Sequence, residues 1–259
     1  MPSYRRNAIA VGLLFIACTV ASILSVVPTA RLLDAPDYLT SLAAHDGRVV
    51  LGALIEFAWA ITAAGIAIAL YPVLRKHNRA LALGSVAGRL VEGAFVLIGT
   101  LSLLTLLGVS QETMAGGSAD ASSFQAVATS LLAARDWTRG FVMTLPFLVG
   151  ALMYYYLLFK ARLIPRWLSG WGLAAASLSL VATVYSGFTQ EFGFSNVNIV
   201  LNIPIGVQEM LLAVWLIVKG FNTSAVTADR AANVEGSATG PVLAVPRVVV
   251  SNMQERTDP

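Results

Sequence analysis

Several things that most enzymes and soluble domains rely on are scarce in this chain of 259 residues. It has one cysteine, Cys18, which excludes an intrachain disulfide, a CxxC redox pair and a cysteine zinc site. Its two histidines, His45 and His77, lie between apolar runs, so no run carries the histidine ligands used in haem or zinc chemistry. No metal and no cofactor are expected. The three lysines, Lys76, Lys160 and Lys219, stand at the ends of apolar runs, which argues against a Schiff base deep in a membrane. There is no glycine loop to cradle phosphate and no serine elbow. Charged residues are only 12% of the chain, against roughly 25% in soluble domains. The net charge of +3 does not point to nucleic acid, because the basic residues fall in short clusters between apolar runs.

What is present is apolar: 57% of residues are hydrophobic and the mean hydropathy is +0.74. A helix needs about 20 apolar residues to cross a bilayer. Six runs qualify: 8–28, 49–71, 81–109, 137–159, 167–188 and 197–219. The expected fold class is therefore all-α and integral to the membrane, a six-transmembrane-helix bundle in contact with the lipid bilayer. The first run follows Arg5 and Arg6 but is longer than the apolar part of a signal peptide, and reads as a retained helix.

Basic clusters set the orientation, because Lys and Arg stay on the cytoplasmic side during insertion. Arg5 and Arg6, then Arg75, Lys76 and Arg79, then Lys160, Arg162 and Arg166, then Lys219 mark every second boundary. Both termini are expected in the cytoplasm. Tyr154, Tyr155 and Tyr156, with Trp167 and Trp171, read as aromatic anchors at that surface. In 120–135 the spacing of Phe124, Val127, Leu131 and Leu132 predicts a short helix lying on the outer surface. Residues 34–46 offer Asp34 as a cap and an apolar set of Tyr38, Leu39 and Leu42. Packing at the interface is the first reading of both segments, a lid the second. From residue 222 to 259 the composition turns to Asn, Thr, Ser, Ala and Gly and predicts a disordered tail.

An ionised side chain at mid-bilayer costs roughly 2.5–3.5 kcal/mol on insertion scales and normally faces a partner or a watery cavity. Glu56, Arg89, Glu92 and Glu209 qualify. Arg89 lies ten positions past Arg79 and Glu209 ten before Lys219, which sets both ~15 Å above their anchors and level with each other. Glu92 shares the face of Arg89. Glu56, eight residues past Arg48, belongs nearer the outer surface. Asn198, Asn202 and Glu209 keep to one face of the last helix, and Pro204 between them predicts a kink with a freed carbonyl at Val200. Small residues around Glu56 (Gly52, Ala60, Ala64), the glycines of "GSVAGRLVEG", and Gly172, Ala175, Ala176 and Ser179 predict close helix packing. One arginine cannot neutralise three acids, so one of Glu56, Glu92 and Glu209 is expected to hold a proton.

Three stretches, "LYPVLRKHNRALALGSVAGRLVEG" (70–93), "LIPRWLSGWG" (163–172) and "IPIGVQEMLLAVWLIVKGFN" (203–222), resemble the bacterial six-helix membrane family catalogued as domain of unknown function 4386, over about 7–222. Arg89, Glu92 and Glu209 correspond to its polar positions. The resemblance implies the fold and a bacterial cytoplasmic membrane, and carries no activity with it.

Three readings of function stay open. In the first, the charges hold the bundle together and its loops or tail meet a partner. In the second, an intramembrane acid–base enzyme acts on a lipid-like substrate such as an isoprenoid. Glu209 or Glu56 is then the catalytic proton donor, with Arg89, Glu92, Asn198 and Asn202 in a ligand-binding polar centre; small membrane-bound terpene cyclases are an analogy without a sequence match. In the third, a small transporter, a homo-oligomer in this reading, is coupled to protons through Glu92 or Glu209.

Overall fold

A computed structural model describes residues 2–116, 121–192 and 196–222. The expected tail, from residue 223 on, lies outside the described residues. The elements are α1 (Pro2–Leu24), α2 (Ala30–Leu33), α3 (Tyr38–Ala44), α4 (Asp46–Leu74), α5 (Arg79–Gly116), α6 (Ala121–Trp137), a π turn (Thr138–Val142), α7 (Thr144–Lys160), α8 (Arg166–Thr189) and α9 (Asn196–Val218). Among the described residues, six helical stretches are long and apolar enough to cross a membrane, and each overlaps one of the six expected runs. The protein is an all-helical, multi-pass membrane bundle.

The spans form a ring. α1 packs on α4, α4 on α5, α5 on α7, α7 on α8, α8 on α9, and α9 returns to α1. An even number of crossings puts both ends of the bundle unit on one side. Arg5 ties that side shut: its guanidinium donates to the carbonyl oxygens of Leu216 (3.2 Å), Ile217 (2.6 Å) and Val218 (3.3 Å). These are last-turn carbonyls without an intrahelical donor, at the negative end of the helix dipole. Arg5→Ala is expected to cost about 1 kcal/mol, read as a lower midpoint of thermal unfolding in detergent. In the link to α5, the Asn78 side chain accepts from the amide of Leu81 at 3.0 Å and caps the helix.

Three expectations need correction. The first span stops at Leu24 rather than 28, because Pro28 cannot continue the ladder; residues 25–29 turn and α2 follows. The helix expected to lie flat over 120–135 is instead the upper part of span four. α6 runs through the π turn into α7, making one stretch from Ser122 to Lys160. Its Ala128 and Leu131 pack with Leu39 and Leu42 of α3 and Leu103, Leu106 and Leu107 of α5, so these residues meet protein rather than lipid, while Val127 stays exposed. Third, Tyr154 and Tyr155 are buried inside the ring and are not surface anchors. Only Tyr156 and Trp167, 43% and 59% exposed, face outward as anchors do.

The glycines of α5 set its neighbours. A β-carbon on Gly88 would stand 2.6 Å from the Pro146 carbonyl oxygen and 2.9 Å from Gly150 Cα, and one on Gly93 would stand 3.1 Å from the Ala60 carbonyl oxygen. The backbones of α7 and α4 thus close on α5 from two sides, on either side of Arg89 and Glu92.

Candidate functional site

The buried charges form two clusters at different heights. The one farther from the termini centres on Glu56 of α4, 1% exposed. Glu56 Oε1 accepts from Arg135 Nη2 and from Arg139 Nη1 (2.6 Å), and Oε2 accepts from Thr100 Oγ1 (2.7 Å) and Arg135 Nη1 (3.3 Å). Four donors fill the roughly four lone-pair positions of a carboxylate. The arginines are tied down in turn: Arg135 Nη1 donates to the Gly99 carbonyl (2.7 Å), and Arg139 Nη2 to Ser25 Oγ (3.1 Å). Arg139 also lies over the Trp59 ring, 5.5 Å from its centroid. Arg135 and Arg139, four residues apart, share a helix face, and the amide of Met143 bonds the Thr138 carbonyl five residues back at 3.0 Å. Such π turns gather at functional sites; here the turn follows one arginine and carries the other. The cluster joins α4, α5, α6, the π turn and the residue after α1.

The second cluster is nearer mid-span and holds the two level residues. Arg89, 2% exposed, donates from Nη1 to Glu92 Oε1 (3.2 Å) and Oε2 (3.0 Å), and from Nη2 to Glu209 Oε1 (3.2 Å). Tyr154 donates its hydroxyl to the same Glu209 oxygen at 3.4 Å. The guanidinium is walled by aromatics, with Phe147 at 4.4 Å, Tyr154 at 5.9 Å and Phe15 at 6.0 Å to the ring centroids. Cys18 of α1 lies within electrostatic reach of Arg89, Glu92 and Glu209. Beside it, Tyr155 donates to Gln208 Oε1, and Gln208 Nε2 to the Leu168 carbonyl (3.0 Å).

Two features set the mid-span cluster apart. It opposes two carboxylates with one guanidinium, whereas the Glu56 cluster opposes one carboxylate with two. And Arg89 Nε–H, buried, has no hydrogen-bond acceptor.

Of the sequence-predicted site residues, Arg89, Glu92 and Glu209 come together and Glu56 stands apart. Asn198 and Asn202 are not at the centre. Asn198 accepts from Ser186 Oγ (2.9 Å) and donates to the Glu191 carbonyl (2.9 Å), which ties α9 to the end of α8, and Asn202 donates to the Asn198 carbonyl (2.9 Å) within α9. α9 itself continues through Pro204. Arg135 and Arg139 are the residues that sequence reasoning missed. Among the described residues no group of three His, Cys, Asp or Glu side chains is placed to hold a metal.

Fold and interior together define a multi-pass membrane protein with ion pairs inside a ring of helices. The chain belongs to the family described as domain of unknown function (DUF4386), which it matches over residues 10–220. No curated protein and no solved structure matches it.

Proposed function

We propose that the mid-span cluster binds an exchangeable proton, and that the protein is a proton-coupled carrier of a small, largely apolar solute in the bacterial cytoplasmic membrane, its termini in the cytoplasm. The observation that carries this reading is the uneven pairing of charges. Both Glu56 oxygens are filled by two guanidinium groups and the Thr100 hydroxyl, so Glu56 serves as an acceptor. The surplus carboxylate is at Glu92 and Glu209, where a net negative charge in a low dielectric is costly unless a proton or a ligand offsets it. Glu209 is the more accessible of the two, with 14% of its side chain exposed against 4% for Glu92. Acids that exchange protons inside membrane bundles serve relays and pumps.

The test is infrared difference spectroscopy of the reconstituted protein between acidic and neutral pH. A carbonyl band of a protonated carboxylic acid is expected to titrate in the wild type and in Glu112→Gln, and to vanish in Glu92→Gln/Glu209→Gln. Persistence of the band in that double variant sinks the reading.

A second reading is favoured by one contact, the Tyr154 hydroxyl on Glu209. A carboxylic acid held by a tyrosine and an arginine can also deliver its proton to a bound molecule, as an acid catalyst does. Mass spectra of membrane extracts separate the two, since a carrier leaves its solute chemically unchanged and a catalyst leaves a product. The Glu56 cluster, with every oxygen filled, supports a purely architectural role for that site.

A further inference from the structure

Residues 202, 206, 209 and 213 of α9 lie on one face, each three or four residues from the next. At Ala213 that face is sealed by α1: a β-carbon on Gly12 would stand 2.7 Å from the Ala213 carbonyl oxygen. Seven residues earlier, ~10 Å along the axis, nothing lies within 4 Å of where a β-carbon on Gly206 would stand. The α1–α9 seam is therefore closed toward the termini and open at Gly206, and Glu209 lies between. α9 is also the least enclosed of the six spans. On the cluster side, the buried Arg89 Nε–H lacks an acceptor, and the walls Phe15, Phe147 and Tyr154 are aromatic.

We infer that the cluster is the head-group pocket for an apolar molecule bearing one neutral oxygen, a hydroxyl or carbonyl, which reaches it sideways from the lipid through the α1–α9 seam at Gly206. The oxygen accepts from Arg89 Nε–H and, resting on the proton reading above, from the carboxylic O–H of Glu209. Its apolar remainder lies in the seam. An anionic head would add to the surplus negative charge, and a cationic head would leave the arginine donor unmet. The charged and titratable groups facing Glu209 are Cys18 from α1, Arg89 and Glu92 from α5, and Tyr154 and Tyr155 from α7. α8 carries only Arg166, at its first residue and over Phe159, and Tyr185, 40% exposed.

The experiment is photolabelling of the full chain in nanodiscs with a diazirine-bearing long-chain alcohol, its ammonium counterpart and its sulfate counterpart, with labelled residues mapped by mass spectrometry. The alcohol is expected to label α1 and α9 beside the seam. Gly206→Leu, which fills open space and leaves the fold intact, should lower that labelling at least about tenfold. Gly108→Leu, a second glycine with nothing within 4 Å, should leave it unchanged. Arg89→Gln should also lower it. Equal labelling in wild type and Gly206→Leu, or stronger labelling by the ammonium or sulfate probe, overturns the inference. Wild-type labelling should rise as pH falls and lose that dependence in Glu209→Gln. Seam labelling that Gly206→Leu abolishes but pH does not affect upholds the oxygen-head pocket and the seam, and counts instead against the proton reading.

Discussion

Replacing Glu56 with alanine is expected to destabilise the bundle by about 3–5 kcal/mol, the usual cost of removing one partner from a buried ionic cluster. The carboxylate is the counter-charge bonded directly to two guanidinium groups, Arg135 at 3% exposure and Arg139. Without it both remain inside the ring, with the Gly99 carbonyl and Ser25 hydroxyl as their remaining acceptors. Reversible unfolding in mixed detergent micelles measures the loss. Glu209→Gln should cost within about 1 kcal/mol, because the amide oxygen can still accept from Arg89 and Glu92 still balances its charge. Two carboxylates that look alike as isolated acids in apolar runs thus have opposite expected effects: Glu56 on stability, Glu209 on proton binding. Equal losses for the two variants would remove the distinction between a structural and an exchanging cluster.

The spans were legible because hydrophobic length is a strong signal, and the Arg89–Glu209 pairing because both residues could be measured from basic anchors. The same count finds the missed cluster. Arg139 lies 21 residues before Lys160 and Glu56 lies 19 before Arg75, ~32 and ~29 Å from their anchors, close enough to meet. A span four that begins at residue 137 places Arg135 in a loop and hides the pairing. With three arginines opposite three glutamates the interior is neutral as a whole. The surplus of acid is therefore local to Glu92 and Glu209 and does not extend to Glu56.

The asparagines show the opposite limit. Periodicity put Asn198 and Asn202 on the face of Glu209, but eleven and seven residues of helix separate them from it, ~16 and ~10 Å. A shared face does not bring two side chains together when their heights differ. Tyr154 and Tyr155 misled for a related reason. Consecutive helical residues point in directions about 100° apart, so three tyrosines in a row cannot all face the lipid surface. Those two turn inward, where Glu209 and Gln208 accept their hydroxyls.

Leucine at three glycines reads the ring directly. At Gly88 the space for a β-carbon is already taken by backbone, the Pro146 carbonyl oxygen at 2.6 Å and Gly150 Cα at 2.9 Å, and backbone cannot swing aside as a side-chain tip can. Gly88→Leu must push α5 from α7, and overpacking of this kind costs about 3 kcal/mol. Arg89 is the next residue, so the push also lengthens its reach to Glu209 across the ring and withdraws it from Phe147 on α7. The expected result combines a lower unfolding midpoint with loss of the infrared carbonyl titration. At Gly206 and Gly108 the same side chain enters open space, and the unfolding midpoint should stay near wild type. Of these two, only Gly206→Leu should disturb seam labelling, because Gly206 shares a face with Glu209 and Gly108 lies on α5. A Gly88→Leu protein of wild-type stability would mean that α5 and α7 are not in backbone contact, and the wall behind Arg89 would have to be redrawn.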